Sequence, residues 1–517
     1  MSEASAESPG KKSGGTPRKP NRWGVGTLSI IQLVLLLCVL GGLNYLSSFH
    51  YLRKDLSRDG NYTLSSSTRR YLESDAIQKR EKPVKWIMAF RRSSPFYERV
   101  RALAEDYARL SGGKVELEIL DPLRSPDRTQ QVTAAYDISL VRDLLLIDAR
   151  PDESSVTVQE QGGTRALNPN VKIVVADEMV VHTTYQGQRR PTGFKGEDLL
   201  TARLVEAIEG RPRKMLFLSD KSRIDAEGEE SSWKSLEENL RLQNIQLTAM
   251  ELAGMKDIPE DAEGIALVAP RYDFTDEEIA VLERYWQRPR AALLVLLKAN
   301  ETPAKLRAFL RTNGVTPQRD RVIAREGDRI VTHARGTYTY GVDFLSDLAL
   351  QSALFNGATS SLEVREGAED LMTRKITPFG LIRGAEGFWG ETKFGEGDPV
   401  FDPAEDSKPP LYLAASVTRG DEASDAAANE TSRMIVVANT DFLDPTRQRT
   451  ENVDFLASSV NWLVGRKSLT GTGPRSIGTY MLPLLDSQVQ FINRANLFFM
   501  PAALLIIGAF VWSSRRA

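Results

Sequence analysis

Apolar residues fall into two long runs near the ends of the chain and many short runs between them. The first long run, 23–46, carries no charged side chain. About 20 residues at 1.5 Å each cross a hydrocarbon core of roughly 30 Å, so this run is long enough to span a bilayer. The alternative is a cleaved signal peptide, whose apolar region is about 7–15 residues long and precedes a small-residue cleavage site. The SSFHYLRKDL stretch that follows offers no such site, so we predict an uncleaved anchor.

The second long run, 497–512, ends five residues before the last residue of the chain. A buried core helix is the alternative interpretation. Pro501 lies in the first turns of the run, where a proline costs a helix least. Arg515 and Arg516 follow the run as a stop-transfer flank would. We predict a second transmembrane helix that is slightly short for the bilayer.

The charges beside the two runs predict an orientation. Residues 1–22 contain five basic residues and two glutamates among many Ser, Gly and Pro residues, a composition typical of a disordered tail. The stub at 513–517 is also basic. Under the positive-inside rule both termini are cytoplasmic. The body, 47–496, is then predicted to lie outside the cytoplasmic (inner) membrane, in the periplasm.

Short apolar strands and helices with one apolar face alternate in the first part of the body. In the predicted proximal domain, 83–210, a strand, an amphipathic helix and a second strand follow one another. Two strands joined by one crossover helix indicate a βαβ unit with parallel pairing. The elements predicted here are strands at 84–90, 115–120, 143–148, 171–176 and 179–182, helices at 95–110 and 199–208, and a polar loop at 152–170.

The segment 211–470 repeats the alternation over a longer stretch. Its strand at 291–297 is apolar at every position, as expected where helices cover both faces of a parallel sheet. We predict a doubly wound, flavodoxin- or Rossmann-like domain with an irregular insertion at about 320–430. The elements predicted here are strands at 214–219, 245–252, 264–269, 291–297 and 434–438, and helices at 231–243, 276–286, 303–312 and 452–464.

Two further segments complete the predicted organisation. A juxtamembrane segment at 47–82 contains N-cap candidates for a short helix, Ser65 to Thr68. A linker at 471–496 leads to the second apolar run. The predicted fold class is therefore α/β, with two extracytoplasmic α/β domains flanked by two transmembrane helices.

Composition excludes several kinds of chemistry. Cys38 is the only cysteine and lies in the first apolar run, which excludes a disulfide scaffold, a cysteine zinc site and a thiol nucleophile in the body. His50, His182 and His333 are far apart and form no HExxH pair, which disfavours histidine-dependent catalysis. The formal charge of −2 gives no indication of a nucleic-acid partner. We expect no cofactor and no metal.

The candidate ligand-binding residues follow two predicted strands. In open α/β sheets, ligands bind at the carboxyl ends of strands near a topological switch point. The candidates there are Ser219 and Asp220 after one strand, and Asn439, Thr440 and Asp441, with Asp444 nearby, after another. The alternative is that these residues only form the turn after each strand.

Two other polar stretches are weaker candidates for a ligand or metal site. Gly193 to Asp198 opens a predicted helix, but it contains neither GxGxxG nor GxxxxGK[ST], so a capped helix start is favoured over a phosphate cradle. Asp225 to Glu230 lacks EF-hand spacing and is interpreted as a solvated acidic loop.

Seven blocks of sequence occur in an order that resembles GldG-like auxiliary subunits of ABC transporters, a family linked to gliding motility. The blocks are DLSRDGNYTLSSSTRRYL, VELEILDP, FKGEDLLTARLVEAI, IPEDAEGIALVAPRYDFTDEEIAVLERYW, VVANTDFLDP, NVDFLASSVNWLVGRKSL and the C-terminal apolar run with its Arg pair. The central domain of that family is distantly similar to an intraflagellar-transport component. Two family features are missing: a Gly-His-Gly-Glu stretch is Ser219 to Ser222 here, and a Gly-Gly pair is Arg288-Pro289-Arg290.

The resemblance implies a non-enzymatic auxiliary membrane subunit. Its partners would be an ABC ATPase and a multi-spanning permease, and its body would bind or scaffold something outside the cell membrane. A membrane-anchored envelope hydrolase and an extracytoplasmic ligand sensor are the alternatives. The absence of a nucleophile motif, a metal cluster and usefully spaced histidines favours the non-enzymatic function.

Overall fold

The computed structural model describes residues 22–49, 63–152, 154–159, 165–185, 188–228, 231–420, 430–470, 477–478 and 493–514. The chain divides into two compact units, Met1–Tyr62 and Thr63–Ala517. Most of the predicted basic tail and most of the predicted linker at 471–496 lie outside the described residues.

One helix among the described residues is long and apolar enough to cross a membrane, and it lies at 496–513. It combines a π-helical turn, Ala495–Phe499, with helix α12, Met500–Ser514, and its apolar side chains are exposed. Near the other end, α1 (Arg22–Phe49) contains a shorter apolar stretch, Ile31–Tyr45. Fifteen residues rise roughly 23 Å, less than the hydrocarbon thickness. Of the two predicted spanning helices, the described residues therefore contain one candidate by length and composition, at 496–513.

The proximal part of the second unit is built on a four-stranded sheet of order β2-β1-β3-β6. Its elements are α2 (Ser66–Glu73), α3 (Asp75–Gln78), β1 (Val84–Ala89), α4 (Tyr97–Leu110), β2 (Val115–Leu120), α5 (Pro126–Tyr136), β3 (Leu144–Asp148), β4 (Thr157–Gln159), β5 (Arg165–Leu167), β6 (Val171–Val175), a 3₁₀ turn (Ala176–Met179), β7 (Val180–Tyr185), β8 (Gln188–Phe194) and α6 (Gly196–Glu209).

The βαβ prediction is confirmed in this sheet, since β1 and β2 are parallel and α4 crosses between them. The apolar face of α4 packs on the sheet, where the rings of Trp86 and Tyr107 lie 4.8 Å apart. Ser65 caps α2 by accepting a hydrogen bond from the backbone N–H of Thr68, as predicted. Helix α5 was not predicted, because few of its positions are apolar.

The rest of the proximal sheet is antiparallel, because β3 pairs with β1 and β6 pairs with β3 in that sense. The polar loop predicted at 152–170 is partly wrong. It contains the antiparallel pair β4 and β5, which are too short and too polar to give a strand pattern in the sequence. Strands β7 and β8 form another antiparallel pair, to which β23 (Ile477–Gly478) adds.

An eleven-stranded sheet organises the larger part of the second unit. The strands of this part are β9 (Arg213–Leu218), β10 (Ile245–Met250), β11 (Gly264–Val268), β12 (Ala292–Leu296), β13 (Val315–Pro317), β14 (Arg321–Glu326), β15 (Arg329–Val331), β16 (Ala334–Tyr338), β17 (Ser352–Phe355), β18 (Leu362–Val364), β19 (Ile376–Gly384), β20 (Phe388–Glu391), β21 (Tyr412–Arg419) and β22 (Ser432–Val437). Its helices are α7 (Ser232–Leu242), α8 (Asp276–Gln287), α9 (Ala304–Thr312), α10 (Glu369–Thr373) and α11 (Thr450–Leu463), with 3₁₀ turns at Asp343–Leu345, Asp441–Leu443 and Lys467–Leu469.

The sheet has a parallel half and an antiparallel half. The parallel strands lie in the order β10-β9-β11-β12-β22, as the doubly wound prediction requires. Because β10 lies on one side of β9 and β11 on the other, the chain reverses direction across the sheet at β9. The antiparallel half continues from β22 through β21, β19, β16 and β17.

The segment at 320–430 is thus not an irregular insertion, because it supplies most of the antiparallel half of the sheet. Its strands are separated by glycine turns, and strands such as β16 alternate buried with exposed residues. Such strands lack the continuous apolar runs of the parallel half, which is why the sequence pattern there is weak. Three further strands of the segment form a small sheet of order β15-β14-β20.

Both faces of the large sheet are covered. In β12 the side chains of Leu294 and Leu296 belong to one apolar core, and those of Leu293 and Val295 to the other. Successive residues of a strand point to opposite faces, so a strand buried on both sides is apolar throughout. The larger part also contacts the proximal part through Glu209 at the end of α6, whose carboxylate lies 2.6 Å from the guanidinium of Arg466.

Candidate functional site

The two groups of predicted ligand-binding residues lie at the same edge of the sheet but not together. Ser219 and Asp220 follow β9, whereas Asn439, Thr440 and Asp441 follow β22. Strands β11 and β12 lie between β9 and β22. At about 4.8 Å per strand, the two groups are roughly 14 Å apart. The carboxyl ends of the parallel strands therefore carry two separate polar clusters.

The first cluster joins the ends of β9 and β10. The carboxylate of Asp220 accepts hydrogen bonds from the backbone N–H groups of Leu252 (2.8 Å) and Ala253 (3.0 Å). The backbone N–H and the hydroxyl of Ser219 both donate to the carbonyl oxygen of Met250, at 2.9 and 3.2 Å. Asp220 and Ser219 thus act as turn residues, which is the alternative that the sequence left open.

Beside this cluster, Lys221 and Glu278 form a buried ion pair that was not predicted from the sequence. Their side chains are 10% and 7% exposed, and Lys221 Nζ lies 2.8 Å from Glu278 Oε2. Glu278 also accepts a hydrogen bond from the backbone N–H of Thr275, which completes a capping box at the start of α8. The Thr-x-x-Glu spacing could have revealed the capping box, but nothing in the sequence indicates the lysine.

In the second cluster, Asn439 is fully buried and binds its own chain. Its side-chain amide donates to the carbonyl oxygen of Asn356 (3.1 Å) and to the hydroxyl of Thr359 (2.9 Å). Its side-chain oxygen accepts a hydrogen bond from the backbone N–H of Phe442 at 3.1 Å. Each of these bonds holds a loop against the end of β22, so Asn439 has a structural role.

The loop that Asn439 holds, residues 356–361, covers the carboxyl ends of β12 and β22. The backbone N–H of Ser360 donates to the carbonyl oxygen of Ala438 (3.3 Å), and its hydroxyl accepts from the backbone N–H of Asn300 (3.2 Å). The buried carboxylate of Asp320 accepts hydrogen bonds from the backbone N–H (2.8 Å) and hydroxyl (2.5 Å) of Ser361. We call residues 356–361 the covering loop. It lies over two of the parallel strand ends, at the edge where open α/β sheets bind ligands, but not over the end of β9, where the chain reverses direction across the sheet.

Asp441 is a half-buried carboxyl with a shifted pKa. Burial raises the pKa of its carboxyl, and the positive charges of Arg447 and Lys298 offset part of that rise. Arg447 lies 3.3 Å from Asp441 and 3.4 Å from Asp444. The carboxylate of Asp441 also lies against the covering loop, where a Cβ on Gly357 would overlap it. Thr440, next to Asp441, is half-buried.

The first turn of α6 contains two acidic residues, Glu197 and Asp198, which disfavour a phosphate site there. Glu197 accepts a hydrogen bond from the backbone N–H of Ser65 at 2.7 Å. Burial, and to a lesser extent the neighbouring Glu197, raises the pKa of Asp198 to about 7. The helix begins at Gly196, where a Cβ would overlap the ring of Phe194. Carboxylates at a helix N-terminus satisfy the dipole and repel an anion.

No group of three or more potential metal ligands occurs among the residues that the structure describes. For the acidic stretch that begins at Asp225, the sequence predicts a solvated loop and not a calcium loop. Asp225 accepts a hydrogen bond from the backbone N–H of Glu227 at 3.1 Å, as in an ordinary turn. Glu229 and Glu230 lie outside the described residues.

The opposite, amino edge of the parallel strands contains an open cavity of about 690 Å³. We call this cavity the amino-edge pocket. None of the predicted ligand-binding residues lines it. It is lined by five arginines, three glutamates and a few apolar residues, and the arginines are Arg211, Arg213, Arg288, Arg290 and Arg433.

A second cavity, of about 860 Å³, lies between α6 of the proximal part and α7 and β10 of the larger part. The charged side chains that line it are largely paired with one another. Arg203 lies 2.7 Å from Glu206, and Arg241 lies 2.7 Å from Glu238. These pairs leave this cavity with less uncompensated charge than the amino-edge pocket.

Comparison with known proteins gives one family match. Residues 58–169 match the domain of unknown function DUF7088. This segment is less than half of the chain and covers most of the proximal sheet. No curated protein matches the chain.

Two solved structures resemble the chain at low identity. The mmIFT52 N-terminal domain is 14% identical, covers 49% of this chain and 97% of its own, and superposes with a TM-score of 0.35. A ThuA-like protein from Bacteroides uniformis is 10% identical, covers 51% of this chain and 95% of its own, and gives a TM-score of 0.29. Both TM-scores are below 0.5, so neither structure carries an argument about function. None of these matches names a GldG-like protein, and that membership stays a prediction.

Proposed function

We propose that the chain is a non-enzymatic auxiliary subunit of an ABC-type transport system, with its α/β body in the extracytoplasmic space. The observation that carries this proposal is the apolar helix at 496–513, attached to a large α/β body. The ordered blocks of the GldG-like resemblance supply the partners, an ABC ATPase and a multi-spanning permease. The lipid bilayer is the third partner.

The carboxyl edge of the large sheet supports a scaffolding body. Asp220 and Asn439, the polar residues best placed to bind a ligand there, hold the protein's own backbone. The covering loop lies over the neighbouring strand ends. At these positions the carboxyl edge holds the protein's own backbone, which supports a body that scaffolds rather than one that binds a ligand there.

A ligand sensor is the second candidate function, and the amino-edge pocket favours it. The pocket is open and has an excess of arginine over glutamate. A sensor of this kind differs from the proposed subunit mainly in lacking a transporter partner.

Purification in mild detergent from the native membrane tests the proposal. The full-length chain should retain an ABC ATPase and a multi-spanning protein, identified by mass spectrometry. The variant Leu504→Arg/Ile507→Arg places two charges on exposed positions of α12 and should lose both partners, because each charge costs about 3 kcal/mol in the bilayer centre.

Leu350→Arg is the matched control, since Leu350 is an exposed apolar residue of the body. This variant should retain both partners and the wild-type yield in the membrane fraction. Recovery of the wild-type chain alone, under conditions that preserve known membrane complexes, would refute the auxiliary-subunit proposal.

A further inference from the structure

The tripeptide Arg-Pro-Arg occurs twice, at 211–213 and at 288–290. The first copy leads into β9 and the second precedes β12. Only β11 lies between these parallel strands, so both copies lie at the amino edge of the sheet. We propose that the amino-edge pocket binds a small multivalent oxyanion of the phosphate class. This binding site goes beyond the proposed auxiliary function and does not depend on it.

The fold anchors one arginine of each copy, Arg213 in the first and Arg288 in the second, and we call these the inner arginines. The guanidinium of Arg213 donates to Glu263 (2.9 Å) and to the carbonyl oxygen of Val464 (3.0 Å). The guanidinium of Arg288 contacts Asp257 at 2.8 Å and donates to the carbonyl oxygen of Ile258 at 2.6 Å. Because these two arginines are fixed, each tripeptide has a defined position at the rim of the pocket.

The outer arginines, Arg211 and Arg290, are exposed. Their guanidinium groups make no hydrogen bond or ion pair with the residues that the structure describes. Arg290 has a φ of 62°, a left-handed conformation that favours glycine over arginine. Strained backbone conformations of this kind occur preferentially at functional sites, and Arg290 is the one such non-glycine residue in the pocket lining.

Arg433 adds a third guanidinium in a buried setting. It is 4% exposed and lies in β22, with its guanidinium carbon 5.7 Å from the ring centroid of Trp462. Charge interactions are stronger where water is excluded. The charge of Arg433 is therefore screened less by water than the charges of the exposed Arg211 and Arg290.

The glutamates of the pocket do not cancel this charge. Glu209 is held by Arg466 at 2.6 Å and by Arg213 at 3.4 Å, and Glu263 is held by Arg213. Since two of the three glutamates are engaged by arginines, the outer arginines face only Glu260 as an uncommitted carboxylate in the pocket lining. With five arginines against three glutamates, the residues that line the pocket have a net formal charge of +2.

The size and donor geometry of the pocket fit a phosphate-bearing ligand. Its volume of about 690 Å³ lies within the range of roughly 300–1,000 Å³ of small-molecule sites. Guanidinium groups present forked pairs of N–H donors that match the oxygens of phosphate. A free phosphate compound and a lipid headgroup share this chemistry.

Isothermal titration of the full-length chain in phosphatidylcholine nanodiscs with pyrophosphate tests the proposal. Saturable binding is expected, and Arg211→Gln and Arg290→Gly should each weaken it about 10-fold through loss of a charged hydrogen bond. Arg290→Gly keeps the fold, because glycine adopts the left-handed conformation without strain. Arg142→Gln, at an exposed arginine beside β3, is the matched control and should bind as the wild type does.

A short-chain phosphatidic acid, whose headgroup is a phosphate monoester, separates the two sources of phosphate when it is titrated in the same way. Tighter binding than that of pyrophosphate, weakened by Arg290→Gly, would identify a lipid headgroup. Preference for pyrophosphate would identify a free phosphate compound. The absence of saturable binding to either probe, or binding equally strong in Arg211→Gln and Arg290→Gly, would overturn the proposal.

Discussion

The two edges of the parallel strands use polar residues in opposite ways. At the carboxyl edge, Asp220 and Asn439 bind backbone groups of their own chain. At the amino edge, Arg211 and Arg290 project from anchored tripeptides beside an open cavity. The usual rule for α/β sheets places ligands at the carboxyl edge. Polar residues beside a strand end are therefore available to a ligand only where no other segment of the chain binds them or covers that edge.

This contrast has an energetic consequence. A polar side chain that satisfies buried backbone groups cannot be removed without leaving them unsatisfied, which costs about 1–3 kcal/mol per group. An exposed side chain that contacts no other part of the protein can be replaced with little change in the free energy of unfolding. Substitutions at the carboxyl edge should therefore destabilise the body, whereas substitutions at the amino edge should leave it folded.

The largest effect is expected for Lys221→Met. This substitution leaves the buried carboxylate of Glu278 without its lysine, and breaking a buried pair costs about 3–5 kcal/mol. Thermal unfolding of the detergent-solubilised chain, followed by circular dichroism, should show a clearly lower midpoint. The double variant Lys221→Met/Glu278→Gln should recover much of the loss, because Gln retains the capping box without the charge. An unchanged midpoint in Lys221→Met would mean that the pair does not stabilise this edge.

Asn439→Ala should give the next largest loss of stability. It leaves the part-buried carbonyl of Asn356, the buried hydroxyl of Thr359 and the buried backbone N–H of Phe442 without their partner, which we expect to cost about 3 kcal/mol. Thr440→Ala, at the half-buried neighbour, is the control and should change the free energy of unfolding by less than about 0.5 kcal/mol. Equal midpoints for the two variants would show that the covering loop is not held by Asn439.

Asp220→Ala should cost less, about 1–2 kcal/mol, because Asp220 is half-buried and water can replace part of its two hydrogen bonds. Asp220→Asn retains one acceptor oxygen and should lie between the wild type and Asp220→Ala. Co-purification of the proposed transporter partners should be unchanged in both variants. Loss of the partners with an unchanged unfolding midpoint would instead revive a binding role for this edge.

Asp441 gives the carboxyl edge a dependence on pH. Burial raises the pKa of this carboxyl in the folded state, so folding favours the protonated form. Its contribution to stability is then fully present below the ordinary carboxyl pKa of about 4 and is lost as the pH rises through the raised pKa. Because asparagine does not titrate, Asp441→Asn does not lose stability in this way as the pH rises. The midpoint of Asp441→Asn relative to the wild type should therefore rise between acidic and neutral pH, and a constant difference would contradict the assignment.

The parallel half of the large sheet was predictable because its strands are apolar at most positions. The strand predicted at 291–297 is Ala292–Leu296 in the structure, and the one predicted at 434–438 is Ser432–Val437. The antiparallel half was missed because strands such as Ala334–Tyr338 mix exposed and buried residues between glycine turns. Pairing between distant strands determines such a sheet, and local periodicity does not record it.

The candidate site was harder to predict than the fold. The sequence correctly indicated that Ser219, Asp220 and Asn439 follow strands, but it could not show that 356–361 folds back over the strand ends. Contacts between residues about 80 positions apart leave no local pattern. The sequence does mark the amino-edge pocket, because Arg-Pro-Arg is repeated before two predicted strands.

The smallest effect on stability is expected for Arg290→Gly, and this variant separates the two edges most directly. Glycine relieves the left-handed strain at φ 62° but adds conformational freedom to the unfolded chain, so the free energy of unfolding should change by less than about 1 kcal/mol. Arg290→Ala is the control, because it removes the same guanidinium and keeps the strain. If both variants keep the wild-type midpoint within a few degrees, the amino edge carries its arginines for a purpose other than folding. A loss of stability as large as that of Asn439→Ala would show that the arginines of the amino edge also stabilise the fold.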